Sequence, residues 1–155
     1  MANKSGFTLI ELLIVVTIIS VLTALTVPSL LRSRMTTNET AAIGALKTMA
    51  AAQTDYHNNS QPHTYTGILQ CLGSGNGAGG VAFVDPVLAR GRKSGYTYNL
   101  HSGPSITQSI ATWSATAWPI VYQSTGIRSF YIDDSGVIRG EDIGGGMAFI
   151  TVKAL

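Results

Sequence analysis

Lys4-Ser5-Gly6-Phe7-Thr8-Leu9-Ile10-Glu11 opens directly into Leu12–Leu31, LLIVVTIISVLTALTVPSLL, 20 residues without a charge. As a helix rising about 1.5 Å per residue, that run spans about 30 Å, the thickness of a bilayer's hydrocarbon core. The 124 residues after Leu31 suffice for one compact domain but not for a shell around so apolar a helix. The run therefore reads as a membrane or assembly segment, not as a buried core helix. It does not read as a secretory signal, whose small-residue cleavage site follows the apolar stretch. Here Ala24-Leu25-Thr26 is a poor site and Pro28 follows, whereas Gly6 stands ahead of the run. Lys4 before the run and Arg32 and Arg34 after it leave the orientation undecided by charge counting.

Glu11 is the anomaly. A carboxylate in a membrane segment costs about 2.5 kcal/mol or more unless it is paired. It can reach the interface and favour the helix N-terminus, or it can pair with a cation. Cleavage after Gly6 would supply one, the new α-amino group of Phe7, four residues earlier. The carboxylate could meet its own amine or that of a neighbouring copy. The second contact is heterologous and builds an open helical filament instead of a closed ring.

These residues resemble the cleavage and methylation motif of type IV pilins and type II secretion pseudopilins. Gly precedes the cut, Phe follows it, and Thr8-Leu9-Ile10-Glu11 leads into the apolar run. The resemblance is strong over Lys4 to Tyr56. It implies that a membrane-embedded prepilin peptidase cuts between Gly6 and Phe7 and methylates the Phe7 amine. It also implies that Glu11 serves subunit docking and that the helix bends or melts near Pro28. Proline deletes one backbone hydrogen bond and crowds the carbonyl four residues back.

Beyond Pro28 the pattern turns amphipathic. Met35, Ala42, Leu46, Met49, Gln53 and Tyr56 recur at helical spacing, widened by Ile43 and Ala50. Asn38, Glu39, Lys47, Thr48 and Asp55 form the opposite, polar face. Frequent Ala favours helix, and His57-Asn58-Asn59-Ser60 with Gln61-Pro62 ends it. One helix is expected over 7–57, its first part, 7–31, being the hydrophobic membrane or filament-core segment.

The head, 58–155, begins with an expected helix-to-sheet loop over 58–94. Gly73, Gly75, Gly77, Gly79 and Gly80 suggest a flexible surface loop. They lack the Lys-Ser/Thr ending of a phosphate loop. A short helical turn is expected within 84–89. Arg90, Arg92 and Lys93 form a small basic cluster that could simply be solvated or could contact the next subunit or DNA. From 95 the chain becomes strand-like: Tyr96–Leu100, Ala111–Trp118, a hairpin of Ser129–Asp133 and Val137–Arg139 about Asp134-Ser135-Gly136, and a last strand over 147–152. The expected fold is α+β, with the long N-terminal helix packed on a small antiparallel sheet of three to five strands. Helix, loop and sheet in this order resemble pilin heads, and Arg128–Arg139 resembles their terminal hairpin.

No catalytic set stands out, so the chain does not read as an enzyme. His57, His63 and His101 are scattered, Cys71 is single, and Ser135 lacks a nucleophile elbow. Asp133, Asp134, Glu141 and Asp142 are oxygen ligands near glycines, the donor type calcium takes, although Arg139 lies among them. By resemblance, major pseudopilins bind calcium in a C-terminal loop. Otherwise no cofactor is expected. Many pilins close that loop with a disulfide, which one cysteine cannot do. With 12% charged residues and a net charge of +2, electrostatic nucleic-acid binding is not the main task.

The expected role is a structural subunit of a type IV pilus, major or major-like. Alternatives are a pseudopilin of type II secretion, a minor pilin for DNA uptake, or a membrane-tethered binding domain that never polymerises. Expected partners are copies of itself, the prepilin peptidase and an inner-membrane assembly platform, with no small-molecule substrate. The expected location is the bacterial inner membrane before assembly, then an extracellular pilus or periplasmic pseudopilus.

Overall fold

The structure is a computed structural model and describes residues 6–76, 78–103, 105, 106 and 109–148. Helix α1 runs Leu9–Asn59 over 51 residues. It starts and stops two residues later than expected. Gly6, Phe7 and Thr8 are not helical, because Thr8 caps the helix instead of joining it. Helix continues on both sides of Pro28, so the proline does not melt the segment. The chain divides into two compact units, residues 1–34 and 35–155.

In the first unit, the apolar side chains from Phe7 to Leu31 are exposed. Thr17, Ser20, Thr23 and Thr26 donate to the carbonyls four residues back at 2.7–2.8 Å. Their hydroxyls are thereby satisfied within the helix, without water. The segment is long and apolar enough to cross a membrane.

In the second unit, the expected stripe is buried: Ala42, Leu46, Met49, Gln53 and Tyr56, with Ala45 and Ala52 beside it. Met35 is half-buried at its start. The polar face is corrected at two places. Glu39 is buried and Asn38 half-buried, because each reaches a loop of the head described below. Gln53 is held in the core by Thr66, donating to its carbonyl at 2.6 Å and accepting from its amide at 3.2 Å.

Residues 58–94 are more ordered than a loop. They contain α2 (Leu69–Ser74), α3 (Pro86–Ala89) and the first strand, β1 (Arg92–Lys93). Leu72, Val84 and Leu88 extend the core beneath them. Asp85 caps α3, accepting from the Val87 and Leu88 amides at 3.0 Å. Within the glycine-rich stretch, Gly75 ends α2 in the left-handed conformation at φ 64°. A Cβ there would collide with the Val81 backbone. This glycine therefore makes a tight crossing rather than a flexible linker.

The remaining strands are β2 (Tyr96–Ser102), β3 (Ser105–Ile106), β4 (Ser109–Ile110), β5 (Trp113–Pro119), β6 (Ser129–Asp133) and β7 (Arg139–Glu141). Five form one antiparallel sheet in the order β1-β2-β5-β6-β7; β3 and β4 pair separately. Its register aligns Leu100, Ala115 and Ile132 in one row, and Tyr98, Ala117 and Phe130 in the next. Small residues of the central strand, Ala115 and Ala117, thus stand between large neighbours and are fully buried. The buried face of α1 joins these residues in one core. On the other face Ala148 covers Tyr131.

Strand boundaries move: Tyr96–Leu100 lengthens to Tyr96–Ser102, and Ala111–Trp118 becomes Trp113–Pro119. The hairpin's second strand is Arg139–Glu141, not Val137–Arg139, since the turn takes in more residues. Of the last expected strand, Met147 and Ala148 are not strand, and 149–152 lie outside the described residues.

Candidate processing and docking site

Gly6 and Phe7 sit in non-helical backbone just ahead of α1. Among the described residues, nothing apart from its chain neighbours lies within 4 Å of where a Gly6 Cβ would stand, and Phe7 is 88% exposed. A peptidase must accommodate its substrate's backbone directly, which a helical scissile bond would prevent. The Gly6–Phe7 bond is open and uncoiled.

The next four residues explain why the helix begins where it does. Thr8 donates through its amide and its hydroxyl to Glu11 Oε2, at 2.9 and 2.8 Å. The Glu11 amide donates back to Thr8 Oγ1 at 3.3 Å. The Leu12 amide reaches the Thr8 carbonyl at 3.3 Å. This is a reciprocal capping box, with Thr8 at the N-cap and Glu11 three residues on. It satisfies two amides that the first turn would otherwise leave bare. Reading Glu11 against the Phe7 amine at helical spacing missed this, because Phe7 is outside the helix. The signal was in the sequence: Thr-x-x-Glu before an apolar run.

The acidic set near the last hairpin is drawn into other contacts. Asp133 accepts from the amide and hydroxyl of Ser135 through Oδ1 and from Arg139 Nη1 through Oδ2, the latter at 2.9 Å. Burial alone would raise the Asp133 carboxyl, but Ser135 and Arg139 outweigh it and hold it below its ordinary value of 3.8. Asp142 accepts from the Tyr122 hydroxyl at 3.0 Å and the Gly144 amide at 3.1 Å. Asp134 and Glu141 are exposed. Among the described residues, no three His, Cys, Asp or Glu side chains gather as a metal-holding group. With a guanidinium already on Asp133, the set as arranged does not fit a cation.

His57 and His63 are not scattered: their rings stack at 5.5 Å, at the end of α1. His101 lies in β2, and Cys71 is half-buried in α2. In the basic cluster, Lys93 pairs with Asp85 at 2.8 Å.

Sequence reasoning also missed Glu39. Its Oε1 accepts from the Ile127 and Arg128 amides at 3.0 and 3.2 Å, and its Oε2 from Arg128 Nε at 2.9 Å. Asn38 beside it donates to the Thr125 carbonyl at 2.8 Å. These residues tie α1 to the segment that enters β6.

The chain thus carries an exposed apolar helix behind an open Gly-Phe bond, joined in sequence to an α+β head. Residues 1–27 match the prokaryotic N-terminal methylation motif. The chain is also similar to the type IV wide pilus major component PilA4 of Thermus thermophilus. Identity is 41% over 64 residues, covering 41% of this chain and 49% of that protein. The match thus spans about half the relative's length. No solved structure matches the chain.

Proposed function

We propose that this chain is a structural subunit that polymerises through its apolar N-terminal helix into a type IV pilus filament, as a major or major-like pilin. The observation that carries the reading is the capped helix start behind an open Gly6–Phe7 bond. A prepilin peptidase cuts that bond, removes residues 1–6 with Lys4, and methylates the Phe7 amine. The chain waits in the inner membrane, its exposed Leu, Ile and Val side chains in lipid. An assembly platform then passes it into the growing filament, where the same side chains pack against other copies.

In that water-free bundle an unpaired charge costs several kcal/mol, and pairing recovers much of it. The Glu11 carboxylate of one copy pairs with the Phe7 amine of another. The pairing favours one axial offset over others, a register role more than a stability role. The relative's name supports this reading over the pseudopilin alternative. The role is assembly and not catalysis.

Mass spectrometry of sheared cell-surface filaments tests the proposal. The expected result is this chain beginning at N-methylated Phe7. Filaments that lack the chain, or that contain it with Met1 intact, would overturn it.

A further inference from the structure

The two edges of the five-stranded sheet carry opposite charge. On the β1 edge, Arg92 is exposed, and among the described residues no carboxylate pairs with it. Its neighbour Lys93 is taken by Asp85 at 2.8 Å. On the β7 edge, Glu141 is exposed, and among the described residues no cation pairs with it. Arg139 of the same strand is taken by Asp133 at 2.9 Å. Once these internal pairs are made, one edge offers a cation and the other a carboxylate.

The register sets the two charges level. Arg92 lies opposite Thr97, Thr97 opposite Trp118, and Ser129 opposite Glu141. Trp118 and Ser129 face each other one step past Ala117 and Phe130, the last pair of β5 and β6. Arg92 and Glu141 therefore end one row that crosses the whole sheet. Ala117 and Phe130 in the adjoining row belong to the core. Side chains alternate along a strand, so the row of Arg92 and Glu141 lies on the outer face. Four antiparallel steps separate β1 from β7, so the two edge strands run in the same direction. Among the described residues neither is paired on its outer side. With two and three residues, neither offers a ladder long enough to hold a partner by backbone alone. Side chains have to make the contact.

A copy of the head moved sideways by five strand spacings, about 24 Å, with its strands in the same direction, brings its Arg92 beside Glu141. We propose that the heads of successive copies meet edge to edge, the Arg92 guanidinium of one on the Glu141 carboxylate of the next. This rests on the filament reading above and names the surface through which heads meet. The contact joins two different surfaces, so it is heterologous and leaves a free edge for each further copy. An exposed ion pair adds little affinity by itself. Its effect is selection, because like charges facing each other at the same place are strongly disfavoured.

The test uses the full chain in pilus-assembling cells, with Cys71→Ser as background. Copies carrying Arg92→Cys and copies carrying Glu141→Cys are produced together, and sheared filaments are treated with a short bis-maleimide. A crosslinked dimer is expected from the mixture and from neither version alone. No dimer from the mixture, or as much from Arg92→Cys alone, would overturn the proposal. Separately, Arg92→Glu or Glu141→Arg should lower filament yield severalfold, with unchanged melting because both side chains are exposed. The two reversals combined should restore the yield, and a combined variant no better than either single one would overturn the pairing. If the wild-type chain forms no filaments, the filament reading fails. The crosslink is then read on the full chain in detergent micelles, where its absence overturns the edge contact on its own.

Discussion

Glu39 and Arg128, 89 positions apart in sequence, meet at 2.9 Å through Oε2 and Nη2 as well as through Nε. The Glu39 side chain is 10% exposed, the Arg128 side chain 44%. Salt and solvent therefore screen the guanidinium end, but the two backbone amides held by Oε1 are sheltered. Tyr96 reinforces the same point, donating its hydroxyl to the Arg128 carbonyl at 2.8 Å.

Glu39→Ala should cost about 2–3 kcal/mol, because it strands two part-buried amides and a guanidinium. Arg128→Ala should cost less, since the amides keep Glu39. Thermal melting of both variants, followed by near-ultraviolet circular dichroism, checks the order. Equal losses would show that the ion pair, and not the amide contacts, fastens the loop.

Asp133 predicts an acid-range loss of stability. Its folded pKa lies below the ordinary 3.8. The stabilisation is thus present above the unfolded pKa and disappears as pH falls through the folded value. Asp133→Asn should be less stable than wild type at pH 7, and the gap should close as pH falls below the ordinary 3.8 and through the folded value. A gap that stays constant with pH would assign the effect to hydrogen bonding alone.

Gly75 and Gly79 both have positive φ, 64° and 75°, but only Gly75 faces a backbone that a Cβ would strike. Among the described residues, nothing apart from its chain neighbours lies within 4 Å of where a Gly79 Cβ would stand. Gly79→Ala should cost about 1 kcal/mol, and Gly75→Ala at least about twice that. Urea unfolding of the pair separates backbone conformation from crowding.

At the helix start, Thr8→Val removes the cap and keeps the shape. It should speed hydrogen exchange of the first-turn amides, by about 1 kcal/mol of lost protection. Glu11→Gln keeps an acceptor oxygen and removes the charge. If charge pairing sets the filament register, Glu11→Gln should lower filament yield by electron microscopy far more than Thr8→Val. Equal yields from the two variants would assign the role of Glu11 to capping.

Periodicity alone made the broad plan legible. An uncharged 20-residue run can only be a helix that avoids water, and the stripe from Ala42 to Tyr56 has helical spacing. Alternation marked β2, and Asp-Ser-Gly marked the turn that joins β6 to β7, because these patterns are local. The Gly6, Phe7 and Glu11 motif was legible for the same reason.

What depended on partners far along the chain was not legible. Glu39 looks like any residue of a solvated helix face until the fold brings the Ile127 and Arg128 amides to it. The glycine-rich stretch looks flexible until Val81 crosses Gly75. The four acidic residues of the last hairpin look like a cation site until Arg139 and Tyr122 take two of them. Arg92 and Glu141 look like ordinary solvated charges until the register sets them at the two ends of one row. Spacing along the chain fixes which face a side chain occupies, but only tertiary packing decides which distant group answers its hydrogen bonds and charge.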